Sequence, residues 1–174
     1  MKTLIHSLSG ALVAVLILSA CTRFDSEPGD AVNTAGSLRG AWRSQIRFSS
    51  GAFAPIKDLE FMYVFNQGGT LTESSNYDAA PPVPPAYGVW RSTGPREFKA
   101  KYLYYITAPP KKFEEITNGA GWGPAGFGVF IERITLSTDG KTFTSTIDYS
   151  AFDPQGKPVE GGGKAQGSGR RIEF

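Results

Sequence analysis

In the stretch Trp42-Arg43-Ser44-Gln45-Ile46-Arg47-Phe48, the side chains of Trp42, Ser44, Ile46 and Phe48 alternate with those of Arg43, Gln45 and Arg47. Neighbouring side chains of an extended chain point to opposite faces, so this period of two predicts a half-buried β-strand. The same period runs outward from it. Leu59, Phe61, Tyr63 and Phe65 alternate with Glu60, Met62, Val64 and Asn66, stop at Gln67-Gly68-Gly69 and resume over Thr70 to Ser75, which predicts a hairpin. Tyr87 to Ser92 reads as a fourth strand, and Thr93-Gly94-Pro95 as a turn. Phe98, Ala100, Tyr102, Tyr104 and Ile106 then form the inward face of a fifth strand, with Lys99 and Lys101 outward. Val129 to Leu136 makes a sixth, Thr138-Asp139-Gly140 turns it, and Phe143, Ser145, Ile147 and Tyr149 line one side of a seventh. A turn at Asp153-Pro154-Gln155-Gly156 leads to an eighth. After residue 21 no stretch has a capped period of 3.6, although Lys111 to Thr117 has room for one helical turn.

Eight sequential strands with one apolar face each must hide eight faces and two sheet edges. Closing the sheet on itself does both. A sandwich would also hide the faces but needs long crossover connections, and the tight turns between strands 2 and 3, 4 and 5, 6 and 7, and 7 and 8 favour a meander. The expected fold is therefore all-β, an eight-stranded antiparallel up-and-down barrel following a cleaved N-terminal signal helix. Eight strands enclose an interior just wide enough to be filled by side chains or to hold one small ligand.

The N-terminal segment sets the expected address. Lys2 supplies a positive start and Leu4 to Ala20 an apolar run too short for a comfortable bilayer span, which reads as an export signal. The only cysteine, Cys21, follows Leu18-Ser19-Ala20, and the four residues resemble the lipobox of bacterial lipoproteins. That resemblance implies diacylglycerol on the Cys21 thiol, cleavage before it, further acylation and a firm membrane anchor. Thr22, where inner-membrane lipoproteins commonly carry aspartate, implies the outer membrane if the source is Gram-negative. Residues 1–20 are thus read as signal, 21–37 as lipidated cysteine and polar tether, and 38–174 as the barrel domain.

This division bounds the chemistry. The chain carries 18 basic and 16 acidic residues, a net charge of +2, and only Lys2 falls in the signal, so no nucleic-acid footprint is expected. The only histidine, His6, lies in the signal and Cys21 is acylated, which removes from the domain the commonest metal ligands, the usual general base and the cysteine nucleophile. No metal, cofactor or catalytic constellation is expected. Serines are plentiful, yet none lies in Gly-x-Ser-x-Gly, and Gly119-Ala120-Gly121-Trp122-Gly123 lacks the lysine and helix of a phosphate loop.

Gly40-Ala41-Trp42 at the start of the first strand, with Arg171 near the end of the last, is similar to the Gly-x-Trp and closing arginine of lipocalins and related calycin barrels. The resemblance implies that Arg171 lies over Trp42 and seals one end, gaining cation–π attraction while its donors reach rim carbonyls. The segments 88–95, 137–144 and 152–157 also resemble an uncharacterised group of lipocalin-like or allene-oxide-cyclase-like bacterial barrels, a likeness of fold and not of activity.

Two features remain. In the eighth strand Gly161, Gly163, Ala165, Gly167 and Gly169 share one face, which leaves room either for a ligand channel along that wall or for bulky inward aromatics such as Tyr63, Tyr102 and Tyr104. The long loops Asn76 to Ala86 and Thr107 to Gly126 carry Tyr77, Phe113, Trp122 and Phe127, which form either an apolar lip at a barrel mouth or a cap on its end. Candidate ligand-binding residues are Phe61, Tyr63, Tyr102, Tyr104, Tyr149 and Trp122, with Glu73 and Arg91 the polar residues expected to face inward. The expected function is that of an outer-envelope lipoprotein whose barrel binds a small apolar ligand. The alternatives are an envelope protein-interaction module with a filled barrel and a cyclase- or isomerase-type enzyme. A deep aromatic cavity would favour the first, an exposed apolar patch the second, and a buried carboxylate or arginine at a pocket floor the third. The expected partners are the membrane, through the lipid, and that small ligand.

Overall fold

The computed structural model describes residues 36–77, 84–112, 114–115 and 121–174. The signal, Cys21, most of the expected tether and Phe113 lie outside the described residues. Eight strands follow in chain order: β1 (Gly40–Phe48), β2 (Leu59–Phe65), β3 (Thr70–Ser75), β4 (Ala86–Gly94), β5 (Glu97–Ala108), β6 (Gly123–Leu136), β7 (Thr142–Phe152) and β8 (Pro158–Arg171). Each pairs antiparallel with its neighbour in sequence, and β1 pairs with β8, closing the sheet into a barrel. Closure follows from the sequence pattern. Every strand has an apolar face to hide, and the pairing of Trp42 with Arg171 through Phe48 with Ala165 leaves neither edge open.

The inward sets of β1, β2, β5 and β7 agree with the period of two. Trp42, Ile46, Phe61, Tyr63, Phe65, Tyr102, Phe143 and Ile147 are buried, whereas Arg43, Gln45, Met62 and Lys101 face out. Ion pairs such as Arg43 with Glu60 at 2.8 Å and Arg133 with Asp148 at 3.0 Å cross the outer face. In solvent such pairs contribute at most about 1 kcal/mol each, so the interior carries the stability.

Two elements run longer than the sequence pattern predicts. β5 continues to Ala108 and β6 begins at Gly123, shortening the long loop between them. Ile106 pairs with Gly126 and Thr107 with Pro124, so Ala125 has no partner and the ladder resumes past a bulge. Gly126 sits at φ +129°, where a Cβ would collide with the Phe152 carbonyl oxygen, and this conformation breaks the alternation that would have marked the strand. Glu114 and Glu115 adopt helical conformation, and the Glu115 N–H donates to the Lys112 carbonyl at 3.1 Å.

The connections 66–69, 95–96 and 137–141, all short, lie at one end of the barrel, and the longer 49–58, 76–85 and 109–122, with the five-residue 153–157, at the other. At the short-turn end the Arg171 guanidinium carbon lies 4.2 Å from the Trp42 ring centroid. Arg171 Nε donates to the Gly140 carbonyl at 2.9 Å, Nη2 to Ser37 at 2.7 Å, and Nη1 to Arg39. The Trp42 indole N–H donates to Leu38 at 2.9 Å, and Leu38 and Trp42 are both fully buried. Phe143 packs on Trp42 with ring centroids 5.2 Å apart.

The glycine face of β8 has its own occupants. A Cβ at Gly169 would enter the Phe143 ring, one at Gly167 would meet Ser145 Oγ and Ile46, and one at Gly163 would meet the Ser50 backbone. Room for inward neighbours is therefore the correct reading of the stripe, but those neighbours are Phe143, Ser145 and the Ser50 backbone, not the tyrosines. No β8 residue lines the barrel's inner cavity, so the reading of this wall as a ligand channel is wrong.

Candidate functional site

The long-loop end holds a cavity of about 250 Å³. Phe61 from β2, Tyr104 and Ile106 from β5, Phe130 from β6 and Tyr149 from β7 form its walls, and Phe53, Tyr77 and Pro84 from the connections stand over it. The rings brace one another. Phe130, Tyr104 and Tyr149 form a triangle, Phe130 stacking on the two tyrosines at centroid distances of 5.6 and 4.8 Å and these on each other at 6.3 Å, and Phe53 leans on Tyr149 at 5.0 Å and on Tyr77 at 6.2 Å. The Tyr104 and Tyr149 hydroxyls bond to each other at 2.8 Å. That bond occupies one of the pair's two hydroxyl protons and leaves the rest of the wall apolar apart from Glu73, Ser74, Ser75 and Thr107. At Gly128 a Cβ would collide with both of these tyrosine rings, so this glycine in β6 is what lets them meet.

Glu73 is the charged residue in the lining. It shares a face of β3 with Leu71 and Ser75, pairs with Tyr63 of β2 and Ala86 of β4, and is only 5 % exposed. Its Oε1 has no hydrogen-bond partner. Burial, with the nearby Glu132 carboxyl adding to it, pushes Glu73 up to about 8, so the group is mostly protonated at neutral pH.

Beneath it lies a second buried polar group that the sequence reading missed. Glu132 on β6 is fully buried; its Oε2 accepts from the Tyr102 hydroxyl at 2.9 Å, and the Tyr102 and Tyr63 hydroxyls lie 3.3 Å apart. Burial raises Glu132 too, against the lowering effect of the hydroxyls around it. Burial likewise lifts both tyrosines well above their ordinary range, so both are neutral donors and acceptors. The signal was available: Glu132 shares parity with Phe130, Ile134 and Leu136, which the sixth strand turns inward.

The six candidate ligand residues divide three ways. Phe61, Tyr104 and Tyr149 line the cavity. Tyr63 and Tyr102 are packed below it, 1 % and 0 % exposed, and belong to the core. Trp122 is half-buried and outside the lining. Of the expected lip, Tyr77 lines the mouth, whereas Phe127 stacks on Phe152 at 5.1 Å, alternating with the buried Gly126 and Gly128. Arg91 does not face inward. It is exposed, with the outward parity of Tyr87 and Val89, while Trp90 takes the inner side and donates its indole N–H to Asn66 and Thr70 carbonyls at 3.1 Å. Phe53 was not anticipated, because it sits in a connection without a period that could give its direction. No known protein family and no curated protein matches the chain.

Proposed function

We propose that this protein is an outer-envelope lipoprotein, anchored through Cys21, whose barrel binds a small apolar ligand in the cavity at its long-loop end. The observation that carries the binding reading is the aromatic cavity of about 250 Å³, left open in a barrel whose other half is packed solid. A void lined by Phe61, Phe130, Tyr104 and Tyr149 loses the dispersion contacts that a filled core would have, and an apolar occupant restores them. The anchoring reading rests on Leu18-Ser19-Ala20-Cys21 and Thr22 in the sequence, and the lipocalin-like reading on Trp42 under Arg171 at the sealed end.

The test of binding is displacement of an apolar fluorescent dye, with Ser75→Trp as the blocked variant. Ser75 lines the cavity, and an indole in its place fills the space. Dye affinity is expected to fall at least tenfold in the variant, and equal affinity in both proteins overturns the reading. For anchoring, Cys21→Ala is expected to lose incorporation of labelled palmitate and membrane fractionation, and unchanged fractionation overturns it.

A second reading, an interaction module, is favoured by an outward apolar stripe. Met62, Val64, Tyr87, Leu103 and Tyr105 are 38 % to 73 % exposed on the outer faces of β2, β4 and β5. The isomerase reading is favoured by Glu73, an acid at the cavity wall poised near 8. Conversion of a retained molecule by the protein, rather than its release unchanged, is the result that raises this reading above binding.

A further inference from the structure

The reading of the cavity as an apolar ligand site leaves Glu73 without a use. A purely hydrocarbon occupant would bury the Glu73 carboxyl with Oε1 still unpartnered, which is a standing cost that a simple lipid pocket would not carry. The surroundings define what would repay it. Among the described residues no lysine or arginine lines the cavity, and its walls are built largely from the aromatic rings of Phe61, Phe130, Tyr104, Tyr149 and Phe53. Ring faces carry negative potential and a carboxylate carries negative charge, so both favour the same kind of guest.

We infer that the cavity selects an organic cation, an ammonium group on an apolar body, seated with its charge on the Glu73 carboxylate and its alkyl groups against the surrounding rings. This inference rests on the ligand-binding reading above and names the chemical class of the ligand. Glu73 is the group that holds the charge: Glu132 Oε1 is unpartnered too, but Glu132 is outside the cavity lining and its Oε2 already accepts from Tyr102. A neutral hydrogen-bonding guest, such as a ketone accepting from the protonated carboxyl, uses the same atom with the opposite pH response.

The pH response follows from the groups around Glu73. Facing it are Tyr63 from β2, Tyr102 and Tyr104 from β5, and Glu132 from β6; Ala86 on β4 is apolar. The tyrosines are held far above neutrality and do not titrate, and Glu132 opposes ionisation of Glu73. Below about 8 the free site is protonated, so seating a cation expels one proton from Glu73 to solvent: Glu73-COOH plus ammonium gives the carboxylate–ammonium pair and H⁺. Affinity for a cation without its own titration therefore rises about tenfold per pH unit up to that point and then levels.

The experiment uses the full-length protein and two probes of nearly equal shape, benzyltrimethylammonium and its neutral isostere neopentylbenzene, each displacing an apolar dye between pH 6 and 9. The expected result is a rise of about tenfold in ammonium affinity from pH 6 to 7, a plateau above about 8, and at least a tenfold preference for the ammonium at pH 9, with no rise for the isostere. Glu73→Gln, which mimics the protonated acid in shape, is expected to abolish both preference and slope. An isostere that binds as well as the ammonium at pH 9, or a slope that persists in Glu73→Gln, overturns the cation inference and leaves the apolar-ligand reading standing. Binding of a ketone probe that weakens above pH 8, with no ammonium preference, overturns it in favour of the neutral guest. Failure of both probes and of the dye overturns the two readings together.

Discussion

At the end of the barrel closed by Trp42, a half-buried cation is bonded to rim carbonyls; at the other end a buried acid keeps an unpartnered oxygen. Arg171 spreads its guanidinium over an indole and donates to the carbonyls of Gly140, Arg39 and Ser37. Glu73 lines an open cavity with one carboxyl oxygen unpartnered. The connections differ in the same sense, tight turns at 66–69 and 95–96 against loops at 49–58 and 76–85. Polar groups are buried in folded proteins when they are satisfied, so the closed end explains itself as structure. At the open end no such contact meets Glu73 Oε1, and this contrast, more than the cavity's size, singles it out as the candidate site.

The contrast can be broken most sharply by pH. Glu73 has an ordinary value of 4.5 that folding raises to about 8, so the folded state binds the proton more tightly than the unfolded chain. Its contribution is fully present below about 4.5 and is lost as pH rises toward 8, at about 1.4 kcal/mol per pH unit, or on the order of 5 kcal/mol across the window. Glu132, also raised, acts in the same direction. Denaturant unfolding from pH 5 to 9 is expected to show stability falling with pH in the wild type and less steeply in Glu73→Gln. A flat wild-type profile would mean that Glu73 finds a partner.

At the closed end, Arg171→Ala is expected to cost roughly 2–4 kcal/mol, the cation–π contact and the orphaned rim carbonyls together, in equilibrium urea unfolding. A loss below about 0.5 kcal/mol would show that the seal contributes nothing and erase the difference between the ends. Phe53→Ala, at the open end, is expected to cost about 1 kcal/mol in stability because the ring is only half-buried, yet to weaken dye binding several-fold because it covers the cavity. The reverse pattern would make Phe53 a structural cap. The smallest effect is expected for Arg170→Ala, within about 0.5 kcal/mol of wild type, because Arg170 pairs with Arg43 on the outer face and is exposed.

How much of this was legible depended on whether a residue sat in an unbroken alternation. Trp42 and Arg171 could be placed together because their strands must neighbour one another and both residues have inward parity. Glu73 was expected to face inward, and it does. Arg91 was misplaced because Tyr87-Gly88-Val89-Trp90-Arg91 has apolar residues on both faces, and the outward stripe of Tyr87 and Val89 hid which face was the inner one. Glu132 was overlooked because a carboxylate in a strand suggests an outer face, although its neighbours at two-residue spacing were Phe130 and Ile134.

By itself the sequence determined the strands, their order, the closure of the sheet and the pairing of arginine with indole, because period-two patterning and tight turns are local and leave few ways to hide eight apolar faces. Only the tertiary structure decided which inward residues fill the barrel and which line a void. That depends on volumes arriving from several strands at one level: Phe143 and Ser145 take the space at Gly169 and Gly167, and Gly128 admits Tyr104 and Tyr149. Parity gives a side chain its direction, but whether it then meets a neighbour or empty space is a sum over the whole cross-section, and no single strand contains that sum.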